Sequence, residues 1–411
     1  MSGEGDSECS SLSFSTCAAG HYPTGDVSLL PHDWTALLGH GACASYGVSG
    51  GAECPQGRYG HSLVIASALG VGGGSGGDVG VMFGGYDGSD YRNDIWLLNL
   101  TDVDGVGVVG AANWTLLAAH SESGCGTGMG SVCPLKRYFH SAAMVGPSTM
   151  VVFGGSQAYN SESKYNDVWT LDVSTGAWTL VLPHDGGCDK EGTTGCPVRR
   201  AQHSSVVIGG LVVVFGGTDH VGSPYVPLND VWSLDVAQKQ WTRLYADNSA
   251  CDGTTCPRTR RGHAAAAIGG KMVVFGGHQD GGAGYLDDTW SFDVYRREWT
   301  KVHAGGGGGA SACPSARRLP SCVAAGSEMI VTGGSDSSGR RNDVWSFDTI
   351  SRTWTQLKAD DGTCTATVSS TCPARRYDHA SVLSGSSVVT FGGLDGSATP
   401  NLNDVWRFDL P

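Results

Sequence analysis

A block Cys-Pro-x-x-Arg-x-x-His begins at Cys54, Cys133, Cys196, Cys256 and Cys372, and a degenerate copy begins at Cys313, where Pro320 takes the histidine position. Each copy runs on through an apolar stretch ending in Phe-Gly-Gly at Phe83, Phe153, Phe215, Phe275 and Phe391, or in Thr332-Gly333-Gly334 in the fifth. Asn-Asp-x-Trp or a near copy follows, at Trp96, Trp169, Trp232, Trp290, Trp345 and Trp406, and then a second tryptophan at Trp114, Trp178, Trp241, Trp299 and Trp354. The period is roughly 60 residues, and a unit of that size cannot bury a hydrophobic face alone. Each copy must therefore pack against its neighbours.

Within a copy the signals are those of short strands. Val213-Val214-Phe215 and Val273-Val274-Phe275 are β-branched or aromatic and closed by paired glycines. Four such runs fit each copy: one starting after the histidine, one ending at Gly-Gly, one carrying the first tryptophan and one the second. Helical periodicity with caps is absent from the pattern. Six four-stranded antiparallel units are predicted to stand radially as the blades of a propeller, an all-β fold. The sixth copy ends at Pro411, too soon after Trp406 for a fourth strand, whereas His32-Asp33-Trp34-Thr35-Ala36-Leu37-Leu38 reads like the fourth strand of another copy. This segment, about 32–38, is expected to complete the last blade and close the ring. Residues 31–411 then form one propeller, with blades over about 55–411, and residues 1–30 an N-terminal extension. Ala68 to Gly80 and the stretch between Trp96 and Trp114 read as loop elaborations of the first copy.

The double glycine, the downstream Asn-Asp-x-Trp-x-x-Asp and the second tryptophan (Gly216, Gly217, Asn229, Asp230, Trp232, Asp235 and Trp241 in one copy) resemble the kelch repeat. The resemblance covers residues from about 32 to 411, and it implies a six-bladed propeller while saying little of function. In binding members of that family the residues between the arginine and histidine positions, and those just after Gly-Gly, line the mouth of the central channel. The resemblance thus selects Tyr59, Tyr138, Phe139, Gln202, Arg261, Arg318, Tyr377 and Asp378, with Tyr86, Asp87, Gln157, Asp219, His220, His278, Gln279, Asp336 and Asp395. Each aromatic has an equally good reading as packing at the top of an inner strand. The Asp or Gln two residues after Gly-Gly suits a hydrogen bond within the repeat better than ligand selection.

Fourteen cysteines fall into neighbouring pairs: Cys9/Cys17, Cys43/Cys54, Cys125/Cys133, Cys188/Cys196, Cys251/Cys256, Cys313/Cys322 and Cys364/Cys372. Short local disulfides are the economical reading, and five pairs bracket the loop before the arginine. Zinc fits worse, because the spacings vary between copies. Seven bridges imply an oxidising compartment and a secreted or surface protein. The sequons at Asn99 and Asn113 agree with it. Against this, the chain begins Met-Ser-Gly-Glu-Gly-Asp-Ser-Glu without a basic or apolar leader, so either it is a trimmed chain or its export is unconventional.

Antiparallel strands return the Cys-Pro loops and the segments after Gly-Gly to one face, which marks that face for binding. A formal net charge of -13 argues against nonspecific attraction to nucleic acid or anionic membranes, and no apolar run is long enough to insert in a membrane. Yet 12 of the 26 Lys and Arg residues lie in the Cys-Pro blocks. They suggest a basic ring for an anionic ligand, an acidic peptide or a sulfated or uronic-acid glycan. For Arg58, Arg137, Arg200, Arg260, Arg317 and Arg376 the favoured reading is a structural ion pair within the repeat; for Arg199, Arg261, Arg318 and Arg375 the two readings are balanced. The repeated His61, His140, His203, His263 and His379 read as structural, since catalytic constellations are usually asymmetric. His220 and His278 could join Asp219 or Asp280 on a metal, but so short a cluster defines no site. No catalytic residue, metal or cofactor is assigned. The expectation is a binding or structural module for a protein or anionic glycan, on its own or as a component of a larger surface assembly. The alternative is a propeller enzyme of oxidase, epimerase or specifier type acting on a carbohydrate or small molecule.

Overall fold

In a computed structural model the chain is described at residues 33–38, 54–69, 77–100, 113–121, 133–158, 164–184, 188, 195–219, 226–248, 250–279, 284–306, 313–366, 371–397 and 401–411. Every copy of the repeat becomes one antiparallel sheet whose strands fall where the pattern put them. In blade 3, Ser204–Ile208, Leu211–Phe215, Val231–Asp235 and Gln240–Tyr245 pair in sequence order. Blades 1, 2 and 4 repeat that order, and blade 5 adds a two-residue strand, Arg317–Arg318, at its inner end. Blade 6 takes three strands from the C-terminus and its outermost from the N-terminus: Trp34–Leu38 pairs antiparallel with Val405–Asp409, Trp34 opposite Phe408 and Ala36 opposite Trp406. The ring is closed by both ends of the chain, the N-terminal segment supplying the fourth strand that the sixth copy lacks. In blade 1 part of the glycine-rich insertion is itself strand, since Ser62–Leu69 and Gly77–Tyr86 stay paired out to Leu69 and Gly77.

The core lies between blades. Six clusters of buried apolar residues each draw on two neighbouring sheets; the one joining blade 6 to blade 1 contains Val389, Phe391, Met82 and Trp114. The phenylalanine before Gly-Gly meets the second tryptophan of the next blade at 4.8–5.1 Å between ring centres, in Phe83–Trp178, Phe153–Trp241, Phe215–Trp299, Phe275–Trp354 and Phe391–Trp114. Such an aromatic pair adds roughly 0.5–1.5 kcal/mol beyond its buried area. The fifth copy has Thr332 in place of the phenylalanine, and there Trp34 packs on Phe408 instead.

The histidines tie the same boundaries. His140 Nε2 lies 2.9 Å from Ser62 Oγ, His203 from Ser141 at 2.9 Å and His263 from Ser204 at 2.8 Å, each reaching the preceding blade. His379 meets Thr332 in the same way at 2.9 Å. Since each histidine occupies a different boundary, they do not converge on a common ion.

The glycine pair is needed for close approach. At Gly216 (φ 61°) a Cβ would stand 2.9 Å from the Arg260 carbonyl of the next blade, and at Gly217 (φ 90°) 2.7 Å from His203 Cβ. Both the left-handed backbone and the space exclude a side chain.

Cys188–Cys196, Cys251–Cys256 and Cys364–Cys372 are bridged, and Cys54 and Cys133 are also disulfide-bonded. Cys9, Cys17, Cys43 and Cys125 lie outside the described residues, as does the extension before residue 31. One expected pair is corrected: Cys313 and Cys322 are not bridged to each other. Cys313 is the cysteine of the Cys-Pro block, whose bridging partner elsewhere lies upstream, and the fifth copy has no cysteine there. Cys322 instead sits within the strand Ser321–Ala325, its thiol donating to the Ala265 carbonyl of blade 4 at 3.2 Å.

Candidate functional site at the ring axis

The framework arginines are spent inside the blades. Arg200 grips Asp230 with both terminal nitrogens (2.7 and 2.8 Å) and donates to the Gly216 and Val198 carbonyls, while Asp230 Oδ2 accepts Trp232 Nε1–H at 2.8 Å. Arg58–Asp94, Arg137–Asp167, Arg260–Asp288, Arg317–Asp343 and Arg376–Asp404 repeat the arrangement, all buried. The preceding asparagine has a task too: Asn229 Nδ2 donates to the Pro257 carbonyl at 2.9 Å, fastening the disulfide loop to the blade, and Asn342 does so to Pro373 at 2.9 Å. Thus the Cys-Pro, Arg and Asn-Asp-x-Trp signatures are parts of one lattice.

The basic ring accordingly shrinks. Six of its members are buried pairs, and outside them Lys136 meets Asp90 at 2.9 Å and Arg375 meets Asp360. Of the other four, Arg199 stands 4.0 Å from Asp219, Arg258 lies away from the cavity at the ring axis, and Arg261 and Arg318 line it.

Here the blades meet in a collar. The residue just before each histidine position has positive φ: Gly60, Phe139, Gln202, Gly262, Leu319 and Asp378, at 51–64°. Their backbones form a closed cycle of hydrogen bonds: Phe139 N–H to Gly60 O (2.8 Å), Gln202 to Phe139 (3.0 Å), Gly262 to Gln202 (2.9 Å), Leu319 to Gly262 (2.6 Å), Asp378 to Leu319 (3.0 Å) and Gly60 to Asp378 (3.4 Å). Each carbonyl is consumed by the next blade, so the collar is a rigid rim whose chemistry lies in its side chains.

Above it lies a cavity of about 220 Å³ lined by Tyr59, Tyr138, Phe139, Gln202, Arg261, Arg318, Tyr377 and Asp378, together with Ser156, Ala158, Lys164, Ala201, Thr218, Leu319 and Leu394. All six blades contribute. The residues between the arginine and histidine positions are therefore brought together. The wall is unequal, with Tyr59, Tyr138, Phe139 and Tyr377 on blades 1, 2 and 6, and Gln202, Arg261 and Arg318 on blades 3, 4 and 5. Arg261 donates to Gln202 Oε1 at 2.8 Å. Burial draws the Lys164 ammonium down to about 8 although Asp219 opposes it, and it drives the Asp378 carboxyl up to about 8 against the charge of Arg318.

The residues after Gly-Gly mostly serve their own loops. Asp87 accepts from the backbone of Ser89 and Asp90 at 2.9 Å and from Arg92, Asp336 from Ser338 N–H at 2.8 Å and Arg341 at 2.8 Å, and Asp395 from Ser397 N–H at 2.8 Å. Gln157 accepts from Tyr165. Tyr86 packs on Tyr59 at 5.5 Å, and His278 on Tyr285 at 5.2 Å, with Gln279 beside it in a short strand. Asp219 stands 4.0 Å from Arg199. None of these lines the cavity; His220 and Asp280 lie outside the described residues. Lys164, two residues before Asn166-Asp167 and paired with Ser156, is the lining cation that the residues between arginine and histidine do not include, because the residue type at its position follows no pattern across the blades. Asn99 and Asn113 are exposed cross-strand partners in blade 1. Among the described residues no helix is long and apolar enough to cross a membrane.

Comparison with known proteins follows the same lines. The model of the KLHDC2/KLHL20/DRC7 Kelch-repeats domain matches residues 111–255 and 247–410. Kelch domain-containing protein 3 of Homo sapiens and of Bos taurus is 27% identical over 342 residues, covering 80% of this chain and 77% of each relative. Kelch domain-containing protein 10 of Homo sapiens is 26% identical over 264 residues, 63% of this chain and 53% of that protein.

Proposed function

The chain belongs to the kelch-repeat family, and from that premise we propose that it is a protein-binding module whose axial cavity receives an acidic group of its partner. The observation that carries this reading is the contrast between framework and collar. The fold asks only for positive φ at the collar, which Gly60 and Gly262 meet without a side chain. Phe139, Gln202, Leu319 and Asp378 adopt the same strained backbone and differ in chemistry, all facing one cavity. At about 220 Å³ the cavity is smaller than the roughly 300–1,000 Å³ of small-molecule sites, which suits one side chain of a protein better than a sugar chain. Arg318, Arg261 and Lys164 supply positive charge for the acidic group, and the tyrosines supply an apolar wall.

The test is fluorescence anisotropy with peptide pairs that differ only by Glu or Gln. The Glu peptide of a binding pair should bind about tenfold tighter at low salt and lose that advantage between roughly 50 and 300 mM salt. Arg318→Gln should abolish the preference. Equal affinity for Glu and Gln peptides, or indifference to salt, would sink the acidic-group reading.

The bridged Cys188–Cys196, Cys251–Cys256 and Cys364–Cys372 support a secreted or surface setting, in which Asn99 and Asn113 would be open to glycosylation. Non-reducing peptide mapping of protein from its native source checks the setting. A bridged Cys251–Cys256 peptide is expected, and thiols at those positions would overturn it.

A further inference from the structure

Five collar positions hold glycine, phenylalanine, glutamine or leucine; blade 6 holds an acid. Asp378 Oδ2 is shut off from solvent and accepts no hydrogen bond. On the adjoining blade 5, Arg318 Nε–H is in the same condition, and both residues line the cavity. A buried polar atom left without a partner destabilises the fold. Two of them on one wall describe a place that is completed from outside the fold.

We propose that Asp378 is the specificity-determining residue of the cavity: beside Arg318 Nε–H it acts as a protonated donor, so that a carboxylate is accepted only while Asp378 keeps its proton. This rests on the reading of the cavity as the receiver of an acidic group. The groups facing Asp378 are Arg318 from blade 5, Tyr377 on its own segment with Arg340 lying 5.5 Å over that ring, and Tyr59, Arg261 and Lys164 around the cavity. Burial raises the Asp378 carboxyl to about 8, outweighing Arg318 and the Gly60 amide, which both lower it. At neutral pH its Oδ2–H is therefore available, and both orphan atoms are donors on residues that line the one cavity. Ionised, the same residue sets a second negative charge against the ligand, as like charges sharing a site do.

Benzoate, a side-chain-sized carboxylate with an apolar ring, is the probe. Its dissociation constant would be measured by NMR titration of the full chain between about pH 6 and pH 9.5, for wild type and Asp378→Asn. Asparagine tolerates the left-handed backbone, keeps an N–H donor and has no proton to lose. Lys164 also titrates near this range and weakens anion binding at high pH in both proteins, so the ratio of the two constants is the readout. Wild type over variant should be constant below pH 8 and rise about tenfold per pH unit above it. A ratio flat throughout, with benzoate still bound, overturns the role of Asp378 and leaves the acidic-group reading standing. Benzoate binding at no pH overturns both.

Discussion

Replacing Asp230 by alanine should lower the unfolding free energy by about 3–5 kcal/mol, the cost of leaving a buried guanidinium without its counter-charge. Arg200 is 0% exposed and Asp230 2%, so water cannot stand in for the lost carboxylate. The change also strips Trp232 Nε1–H of its acceptor, leaving a second buried donor unmet. The bonds from Arg200 to the Gly216 and Val198 carbonyls survive but carry no compensating charge. The adjacent Arg199 makes the internal comparison: it is 32% exposed and stands 4.0 Å from Asp219, so Arg199→Ala should stay within about 1 kcal/mol. Urea denaturation of both variants reads the difference. A shift for Asp230→Ala no larger than that for Arg199→Ala would mean that the pair does not hold the blade together.

That lattice was legible in advance because its members recur with the repeat: an arginine three residues after each Cys-Pro proline, and an Asp two before a tryptophan, must do the same thing six times. Ring closure through Trp34 was legible for the same reason, as a missing fourth strand at Pro411 with a spare one upstream. What repetition could not reveal is asymmetric. Lys164 occupies the repeat position held by Tyr91, Pro227, Tyr285, Arg340 and Asn401 in the other blades, opposite the residue after Gly-Gly, yet of these only Lys164 lines the cavity, and the residue type at that position follows no pattern. Positive φ at Phe139, Gln202, Leu319 and Asp378 is hidden because those residue types do not advertise it; only Gly60 and Gly262 do. The Cys313/Cys322 pairing failed because adjacency along the chain was given more weight than position within the repeat, where Cys322 belongs to a strand and not to the loop. The basic ring was overestimated because one-letter charge does not show its neighbours: Lys136 faces Asp90, and Arg375 faces Asp360.

Mild acid should destabilise this propeller before the carboxylates that are ionised at neutral pH begin to protonate. Burial, reinforced by the arginine of the same block, holds His61 and His263 at about 3 and drives His140, His203 and His379 well below 6.5. The unfolded chain takes up these protons near pH 6.5 and the folded chain does not. Stability is therefore fully present above pH 6.5 and is lost as pH falls from there toward 3. Between roughly pH 7.5 and 5.5 each neutral histidine accounts for roughly 1–2 kcal/mol, so the five together account for about 7. Asp378 works the other way. Its folded form holds a proton up to about 8 while its unfolded form releases it near 3.8, so lowering the pH across the same interval returns roughly 2–3 kcal/mol. The net expectation is a loss of about 4 kcal/mol on acidification, read by urea denaturation at the two pH values. His203 lets the cause be assigned, because its Nε2 lies 2.9 Å from Ser141 Oγ and a glutamine amide can replace that bond. Whatever His203→Gln does to stability at pH 7.5, it should shrink the acid-induced loss by roughly 1–2 kcal/mol. An unchanged loss in that variant would place the acid sensitivity elsewhere, and a stability that holds or rises at pH 5.5 would mean that the blade boundaries accept charged histidine.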